Sequence, residues 1–352
     1  MNKKVLITAA VLIGIGIVGI VPSALSSIPY FTDMVVEAEK AVKKERELTK
    51  IAVISEEVQQ LIITSEIADV RIVPSEKNNI EIYQTKPRYA EMTVTHSYNA
   101  KKKELEIIET GQHTSFFEEI RTDRIDKFIQ DVLNRGFTDA YDAEIEIRVP
   151  KNVNIIVQSN GEDLYVNREV ILKDVTFNTT YGNLEFIDRF NTRNLGTLQI
   201  SSEGHTYIEA EDFQGFADIK INANDIHVDA TTSNLSNGII PKSIELSASN
   251  IEVNSNQALA ELVTINGVNS SYGTIDIRLP MNHLDIDWDI LTTRNPINFD
   301  GDISSFTGEE AKLRDDELFE YKGKIGRGTE MPSKIKIRAN EQDVYISQYN
   351  YN

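Results

Sequence analysis

The sequence contains no cysteine. This absence excludes a disulfide framework, a thiolate metal site, a lipid-modified cysteine and a cysteine nucleophile. The HExxH, GxSxG and P-loop motifs are also missing, so the signatures of zinc proteases, serine hydrolases and P-loop nucleotide-binding proteins are not present. The histidines fall in no metal-ligand spacing; they are His96, His113, His205, His227 and His283. These absences predict a protein that is not an enzyme.

Basic residues are far fewer than acidic residues in this chain. The chain has 36 Lys and Arg against 55 Asp and Glu, which gives a formal net charge of -19 and a pI near 4.8. Such a surplus repels polyanions unless the charge is locally inverted or bridged by cations, so nucleic acid is not an expected partner. With 352 residues, 40% of them hydrophobic, the chain is nevertheless able to bury a core.

One long apolar run begins at Val5 and ends at Val21. Its 17 residues reach the lower limit for a helix that crosses a hydrocarbon core of about 30 Å. Two lysines precede the run and acidic sequence follows it, which predicts a single-pass cell-membrane protein whose C-terminal part is extracytoplasmic. A cleaved signal peptide is the alternative, since Ala24 and Ser26 are small residues two apart. Residues 14–19 also match GxGxxG, but no strand precedes them, which favours the membrane interpretation.

The rest of the chain divides by pattern. Residues 1–29 form the predicted anchor or signal peptide, and residues 30–50, rich in helix formers and charge, predict a helical stalk. From residue 51 to 352, short runs with apolar residues at every second position predict an all-β domain. Within it, residues 115–135 place apolar side chains at three- and four-residue steps before a glycine, which predicts an amphipathic helical insertion.

A ten-residue phrase occurs twice. The chain reads FNTTYGNLEF at 177–186 and VNSSYGTIDI at 268–277. Around these phrases, apolar-x-apolar triplets begin at residues 164, 184, 206, 226, 251 and 275, most of them after a turn with Gly, Asn or Asp. A second apolar pair precedes most of the turns, so each unit offers two short strands that cannot bury their apolar faces alone.

Stacking of such units predicts a single-stranded β-helix or solenoid with about 20–25 residues per coil. A β-sandwich is the alternative fold, because each unit contributes two strands. Three stretches resemble the bacterial putative-adhesin family of domains of unknown function, which includes the LiaG-like proteins of Gram-positive envelope-stress operons; they are ITSEIADVRIVP at 63–74, VPKNVNIIVQSNGEDLYV at 149–166 and VNSSYGTIDIRLP at 268–280. The resemblance implies a repetitive β-solenoid domain of the cell envelope. It implies no catalytic residues.

The middle residues of the triplets form a predicted outward row: Tyr165, Glu185, Tyr207, His227, Glu252 and Asp276. Aromatic and acidic side chains along one face of a solenoid predict a strip that binds glycan. The same composition is typical of a solvated sheet face, because cross-strand pairs stabilise sheets without a ligand.

Three aspartates alternate with apolar residues between 284 and 290. Asp285, Asp287 and Asp289 therefore share one face of a predicted strand, about 6–7 Å apart. They would hold Ca²⁺ only if loop carbonyls completed the oxygen shell, and otherwise form a solvated face that discourages edge aggregation. No other cofactor is expected.

These patterns together predict a membrane-anchored, extracytoplasmic, non-catalytic binding or scaffolding module of the bacterial envelope. Its expected partner is an envelope polymer or a membrane protein, and the resemblance adds a link to envelope stress. The alternative is a polysaccharide-processing β-helix enzyme, since paired carboxylates from different coils can meet in ways that a sequence does not show. The patterns do not determine the oligomeric state.

Overall fold

The computed structural model describes residues 47–86, 90–113, 143–167, 169–187, 196–209, 216–230, 241–268, 273–280, 285–293, 297–300, 306–308, 312–313, 319–325 and 332–348. Contacts divide the chain into one unit of residues 1–48, 85–91 and 113–142 and a second of residues 49–84, 92–112 and 143–352. The predicted anchor, most of the predicted stalk and the predicted helical insertion lie outside the described residues. Within the described ranges, no helix is long and apolar enough to cross a membrane.

Every regular element in the described ranges is a β-strand, and the strands form three sheets. The long sheet contains, in spatial order, β22 (Phe306–Gly308), β24 (Phe319–Ile325), β20 (Asp285–Thr292), β25 (Pro332–Ala339), β18 (Leu262–Gly267), β16 (Ser243–Ala248), β14 (Asp218–Asn222), β12 (Thr197–Ser202), β10 (Leu172–Thr179), β8 (Val153–Ser159), β2 (Gln60–Ser65), β6 (Glu104–His113) and β5 (Ala90–Asn99), with β23 (Lys312–Leu313) beside β24.

Two shorter sheets hold the remaining strands. The first short sheet contains β1 (Thr49–Ile54), β4 (Ile80–Gln84), β7 (Glu144–Val149), β3 (Asp69–Pro74), β9 (Leu164–Asn167) and β11 (Leu184–Ile187). The second short sheet contains β13 (His205–Glu209), β15 (Asp225–Ala230), β17 (Asn250–Ser255), β19 (Thr274–Leu279), β26 (Asp343–Gln348) and β21 (Asn298–Asp300). The last two residues of the predicted helical stalk, Thr49 and Lys50, instead begin strand β1.

From β7 to β21, successive strands along the chain alternate between the long sheet and a short sheet. From β8 to β19 each coil gives one strand to the long sheet and the next strand to a short sheet, and equivalent strands of neighbouring coils pair in parallel. This confirms the prediction of an all-β, solenoid-like repeat with two strands per coil. The β-sandwich alternative does not fit, because such sandwiches are built from antiparallel sheets.

The core follows directly from the period-two pattern. Strands such as β2 and β16 alternate buried and half-buried residues along their length. In-register pairing therefore aligns the inward side chains of ten long-sheet strands in one buried column: Ile107, Ile63, Val157, Phe177, Ile200, Ile221, Leu246, Ile265, Ile337 and Ile290. Each such side chain contributes about 1.5–3 kcal/mol by burial, whereas an exposed ion pair contributes about 0–1 kcal/mol. Stacking of apolar columns is thus the main source of stability.

Hydroxyl side chains close the corner at which the chain leaves the long sheet. The Oγ of Ser159 donates to the carbonyl oxygen of Glu162 at 2.7 Å and accepts from the Glu162 amide at 2.8 Å. One coil later the Oγ1 of Thr179 accepts from the amide of Gly182 at 2.7 Å. The hydroxyl satisfies backbone groups of the turn locally, as Ser and Thr do in such turns. This is the structural role of Thr179, the first of the two threonines in the first repeated phrase.

The glycines of the two repeated phrases lie against the preceding coil. A Cβ built on Gly182 would overlap the carbonyl oxygen of Glu162, and one built on Gly273 would overlap the carbonyl oxygen of Ser249. Each contact reaches back by one coil, 20 residues in the first case and 24 in the second. The phrase recurs because at both places the backbone of one coil approaches the turn of the coil before it, and only glycine leaves room.

At both ends the spatial order of the coils departs from the order along the chain. The coil β2–β3 lies between β8–β9 and β6–β7, and the coil β25–β26 lies between β18–β19 and β20–β21. Beyond these coils the pairing becomes antiparallel, between β1, β4 and β7 at one end and between β20, β24 and β22 at the other. Antiparallel strands thus end the parallel stack, and a shift in register near Lys50 interrupts edge strand β1. Irregular, charged edges of this kind disfavour further strand addition.

Candidate functional site

The predicted outward row exists, but it is divided between two sheets. Tyr165 and Glu185 pair in the first short sheet, whereas Tyr207 and His227 begin a row in the second. Strand order continues this second row beyond the predicted residues. We call it the Tyr207 row; its members, each beside the next, are Tyr207, His227, Glu252, Asp276, Tyr345 and Asn298.

The Tyr207 row begins with a stacked aromatic pair. The rings of Tyr207 and His227 have centroids 5.1 Å apart and planes inclined by 11°. Neighbouring parallel strands lie about 4.8 Å apart, so in-register rings reach stacking distance without adjustment of the backbone. The exposed fraction of Tyr207 is 44% and that of Tyr345 is 41%, which places two aromatic side chains at the surface of one row.

The acidic residues of the row are fixed by neighbours. Glu252 lies 3.0 Å from Nδ1 of His227 and accepts a hydrogen bond from Asn254 at 2.9 Å. The Asn254 hydrogen bond and the charges of His227 and Arg278 hold the pKa of Glu252 below its ordinary value, although partial burial opposes them. Asp276 in turn contacts the guanidinium of Arg278. A general acid at neutral pH needs a raised pKa, so Glu252 does not suit that role.

The first short sheet carries a second row, which we call the Tyr165 row: Lys50, Tyr83, Glu146, Arg71, Tyr165 and Glu185. Cations cover its aromatic rings. The guanidinium of Arg148 lies 4.5 Å from the ring centroid of Tyr83, and that of Arg71 lies 5.4 Å from the ring of Tyr165. Burial raises the pKa of Tyr165, with further contributions from Asp69 and Asp163. Both tyrosine rings of the Tyr165 row are therefore covered by arginine side chains of the protein itself.

The predicted aspartate face lies on β20 in the long sheet. Asp287 is 3.4 Å from Nζ of Lys324, and Asp289 is 3.2 Å from the guanidinium of Arg338. Burial alone would raise the pKa of Asp289, but the hydrogen bonds and charge of Arg338 outweigh it and hold the pKa below its ordinary value. For Asp285 the structure describes the backbone, which pairs with Pro332.

Lysines flank these carboxylates on both neighbouring strands. The register places Lys334 and Lys324 beside Asp287, and Lys336 and Lys322 beside Asp289. A cation that approached Asp287 or Asp289 would therefore meet positive charge on both sides, which disfavours Ca²⁺. In the part of the chain that the structure describes, no group of three or more His, Asp or Glu is arranged to hold a metal ion.

Of the two members of the row that the sequence pattern did not identify, Asn298 and Tyr345, the aromatic one is Tyr345. It stands in Val344-Tyr345-Ile346, the same apolar-x-apolar triplet that marks the other members, after a polar turn. This triplet was therefore a signal in the sequence from which Tyr345 could have been identified as an outward residue. Its position beside Asp276 depends on the insertion of the last coil between two earlier ones, which the order of the chain does not reveal.

Comparison with known proteins gives one family match. Residues 58–347 match the family described as Toastrack DUF4097. Among solved structures the chain is similar to a putative cell adhesion protein from Clostridium sporogenes ATCC 15579, with 9% identity, 86% of this chain and 98% of that chain covered, and a TM-score of 0.26. It is also similar to a putative adhesin from Parabacteroides distasonis ATCC 8503, with 9% identity, 87% and 98% coverage and a TM-score of 0.33. Similarities of this size carry no inference about function. No curated protein matches the sequence.

Proposed function

Because this chain belongs to the Toastrack DUF4097 family and presents a row with two exposed tyrosines, we propose that it is a non-catalytic, adhesin-like binding module of the bacterial cell envelope. The stacked pair of Tyr207 and His227 on an exposed sheet face is the observation that carries the proposal. Aromatic rings held in place by a rigid sheet offer flat apolar contact at little cost in side-chain entropy.

The dimensions of the row favour a polymer over a small ligand. Six strands about 4.8 Å apart give the Tyr207 row a length of about 24 Å. A flat row of this length suits a linear chain that contacts Tyr207 at one end and Tyr345 near the other. We therefore propose an envelope polysaccharide as the ligand, with no cofactor required.

The location of the module is a second part of the proposal. The apolar run from Val5 to Val21 supports a single-pass anchor in the cell membrane, with the solenoid on the extracytoplasmic side. The resemblance to LiaG-like proteins supports a role in the envelope-stress response. Fractionation of a Gram-positive host that expresses the full chain tests the anchor. Recovery in the carbonate-washed membrane supports it, and recovery in the medium refutes it.

The binding experiment uses the full chain in mild detergent. The protein is mixed with purified peptidoglycan, teichoic acid or surface polysaccharide, with and without Ca²⁺, and both co-sedimentation and released fragments are measured. We expect retention on the polysaccharide without fragments and without a requirement for Ca²⁺. Released fragments would instead establish the alternative, a polysaccharide-processing enzyme, and retention only with Ca²⁺ would restore the aspartate face as a site.

A pair of tyrosine variants locates the site. Tyr207→Ala removes an aromatic side chain from the row and is expected to weaken retention about tenfold, or about 1.4 kcal/mol. Tyr181→Ala is the matched control, because Tyr181 is 68% exposed but lies at a corner outside the row. Equal retention of both variants and the unaltered chain would place binding elsewhere. If the unaltered chain itself is retained on none of the polymers, the result would favour a membrane-protein partner.

A further inference from the structure

A polar groove lies where three strands enter the long sheet, away from both rows. It has a volume of about 560 Å³ and is bordered by the starts of β2 and β8, by the turn before β4 and by Lys173 of β10. Small-molecule sites are typically concave, with volumes of about 300–1,000 Å³. The groove thus has the size of a binding site, and no residue of the Tyr207 row lines it.

The charged groups of the groove balance. Two carboxylates, Glu56 and Glu57, and two ammonium groups, Lys151 and Lys173, line it. Glu57 accepts hydrogen bonds from the Nζ of Lys103 at 2.6 Å and from the Nε2 of Gln59 at 3.1 Å, and these bonds, with the charge of Lys103, lower its pKa. A polyanion would meet the carboxylates and a polycation the lysines. The groove therefore suits an uncharged ligand.

Side-chain amides provide the remaining polar contacts. Gln59, Asn78, Asn152 and Asn154 all line the groove. Asn152 has a positive φ of 65°, a conformation that asparagine tolerates, and its backbone N–H donates to the carbonyl oxygen of Ile171 at 2.7 Å. Each side-chain amide both donates and accepts, which matches the hydroxyl group of a sugar.

One of these amides is left unsatisfied by the protein. The Oδ1 of Asn154 is buried and accepts no hydrogen bond from any described residue. A buried polar atom without a partner costs about 1–3 kcal/mol, so its persistence requires an explanation. Because χ2 of asparagine is soft, a modest rotation turns this oxygen toward a hydroxyl donor in the groove.

We propose that this groove is a second binding site, which takes an uncharged saccharide unit through its side-chain amides, with Asn154 as the residue that requires a ligand hydroxyl. The Tyr207 row contributes nothing to it, so the two sites succeed or fail separately.

The test begins with the full chain in mild detergent on an array of neutral, phosphorylated and aminated glycans. The strongest neutral glycan is then titrated calorimetrically against the unaltered chain, Asn154→Leu and Tyr207→Ala. Asn154→Leu is expected to lower the affinity at least about tenfold, while its unfolding midpoint stays the same or rises, since the buried Oδ1 that it removes accepts no hydrogen bond from the described residues. Tyr207→Ala separates the two sites, because a loss of affinity in this variant together with an unchanged Asn154→Leu would assign the glycan to the Tyr207 row and overturn the proposal.

Gln158→Leu is the matched control, because Gln158 is an exposed amide on the same strand outside the groove. If Asn154→Leu fails to fold, Asn78→Leu, at the exposed turn before β4, takes its place with the same expected loss. Equal affinity of the groove variants and the unaltered chain, preference for charged glycans, or no retained glycan would each overturn the proposal.

Discussion

Replacement of Gly182 by alanine tests the close approach between successive coils. The new Cβ would overlap the carbonyl oxygen of Glu162 in the preceding coil, and Oγ1 of Thr179 would lie 2.9 Å away. Neither neighbour is the far end of a flexible side chain. The backbone of one coil must therefore move, which strains the in-register pairing of β9 with β11.

Overpacking of this kind costs about 1–3 kcal/mol. For a domain of this size, that range lowers Tm by roughly 2–10 °C. Gly204→Ala is the matched control at the next corner, because its Cβ would meet the exposed ring of Tyr181 first, at 3.1 Å, and a ring can turn aside. Its stability is expected to change by no more than about 0.5 kcal/mol.

The assay is thermal unfolding of the full chain, followed by circular dichroism at one scan rate for all variants, because stacked repeats need not unfold in a single step. A clear separation between the two alanine variants supports the close approach as the reason for the repeated Tyr-Gly. Equal midpoints for Gly182→Ala and Gly204→Ala would refute it, and so would a Gly182→Ala protein as stable as the unaltered chain.

Two further predictions concern the core and the corner. Phe177→Ala empties a fully buried position and is expected to lower the free energy of unfolding, measured by chemical denaturation, by about 3–5 kcal/mol. Thr176 is half-buried on the other face of β10, so Thr176→Ala should change this free energy by less than about 0.5 kcal/mol. Similar losses in the two variants would contradict the assigned core face. Burial, with the charges of Asp69 and Asp163, raises the pKa of Glu162 from 4.5 to about 7, so its contribution to stability is fully present below about pH 4.5 and is lost as the pH rises to about 7. Glu162→Gln should therefore flatten the pH dependence of the unfolding midpoint between pH 4.5 and 7 and raise stability at pH 8, and an unchanged pH profile would count against the shift.

The strand content and the inward-facing residues could be predicted from the local alternation of apolar and polar residues. One of the apolar pairs that precede a turn in the sequence consists of Ile155 and Val157; both residues lie on β8 and both are buried. Such assignments succeed because side chains of a strand alternate between faces with a fixed period of two, whatever the strand pairs with. The same periodicity put Tyr207 and His227 on the outer face.

The composition of the rows depended on contacts between distant coils. Tyr165 and Tyr207 occupy equivalent places in their triplets, yet Arg71 lies over the ring of Tyr165 while Tyr207 is 44% exposed. Arg71 comes from a coil nearly a hundred residues earlier in the chain, which the fold inserts beside β9. No local pattern encodes that neighbour.

For the aspartate face too, the local pattern predicted which side chains share a face, and distant strands decided their neighbours. The alternation around Asp287 predicted one charged face and one apolar face, but the lysines on either side come from β24 and β25, more than thirty residues further along. Their presence decides whether a row of carboxylates attracts a metal ion or is neutralised by the protein itself. The groove beside Asn154 is likewise assembled from turns of separate coils.

By itself the sequence determined the all-β class, the length of the coil and the inward and outward faces, because these depend on spacing within a few residues and on repetition of that spacing. The family was indicated separately, by the resemblance of three stretches to known domains. Only the tertiary structure decided which coils are neighbours at the two ends, which tyrosine side chains are exposed to solvent and where a groove forms. The physical reason is that parallel pairing joins strands about twenty residues apart or more, and near the ends it joins residues as far apart in the sequence as Gln60 and Asn154. Apolar columns can stack in several orders, and the packing of the whole core selects one.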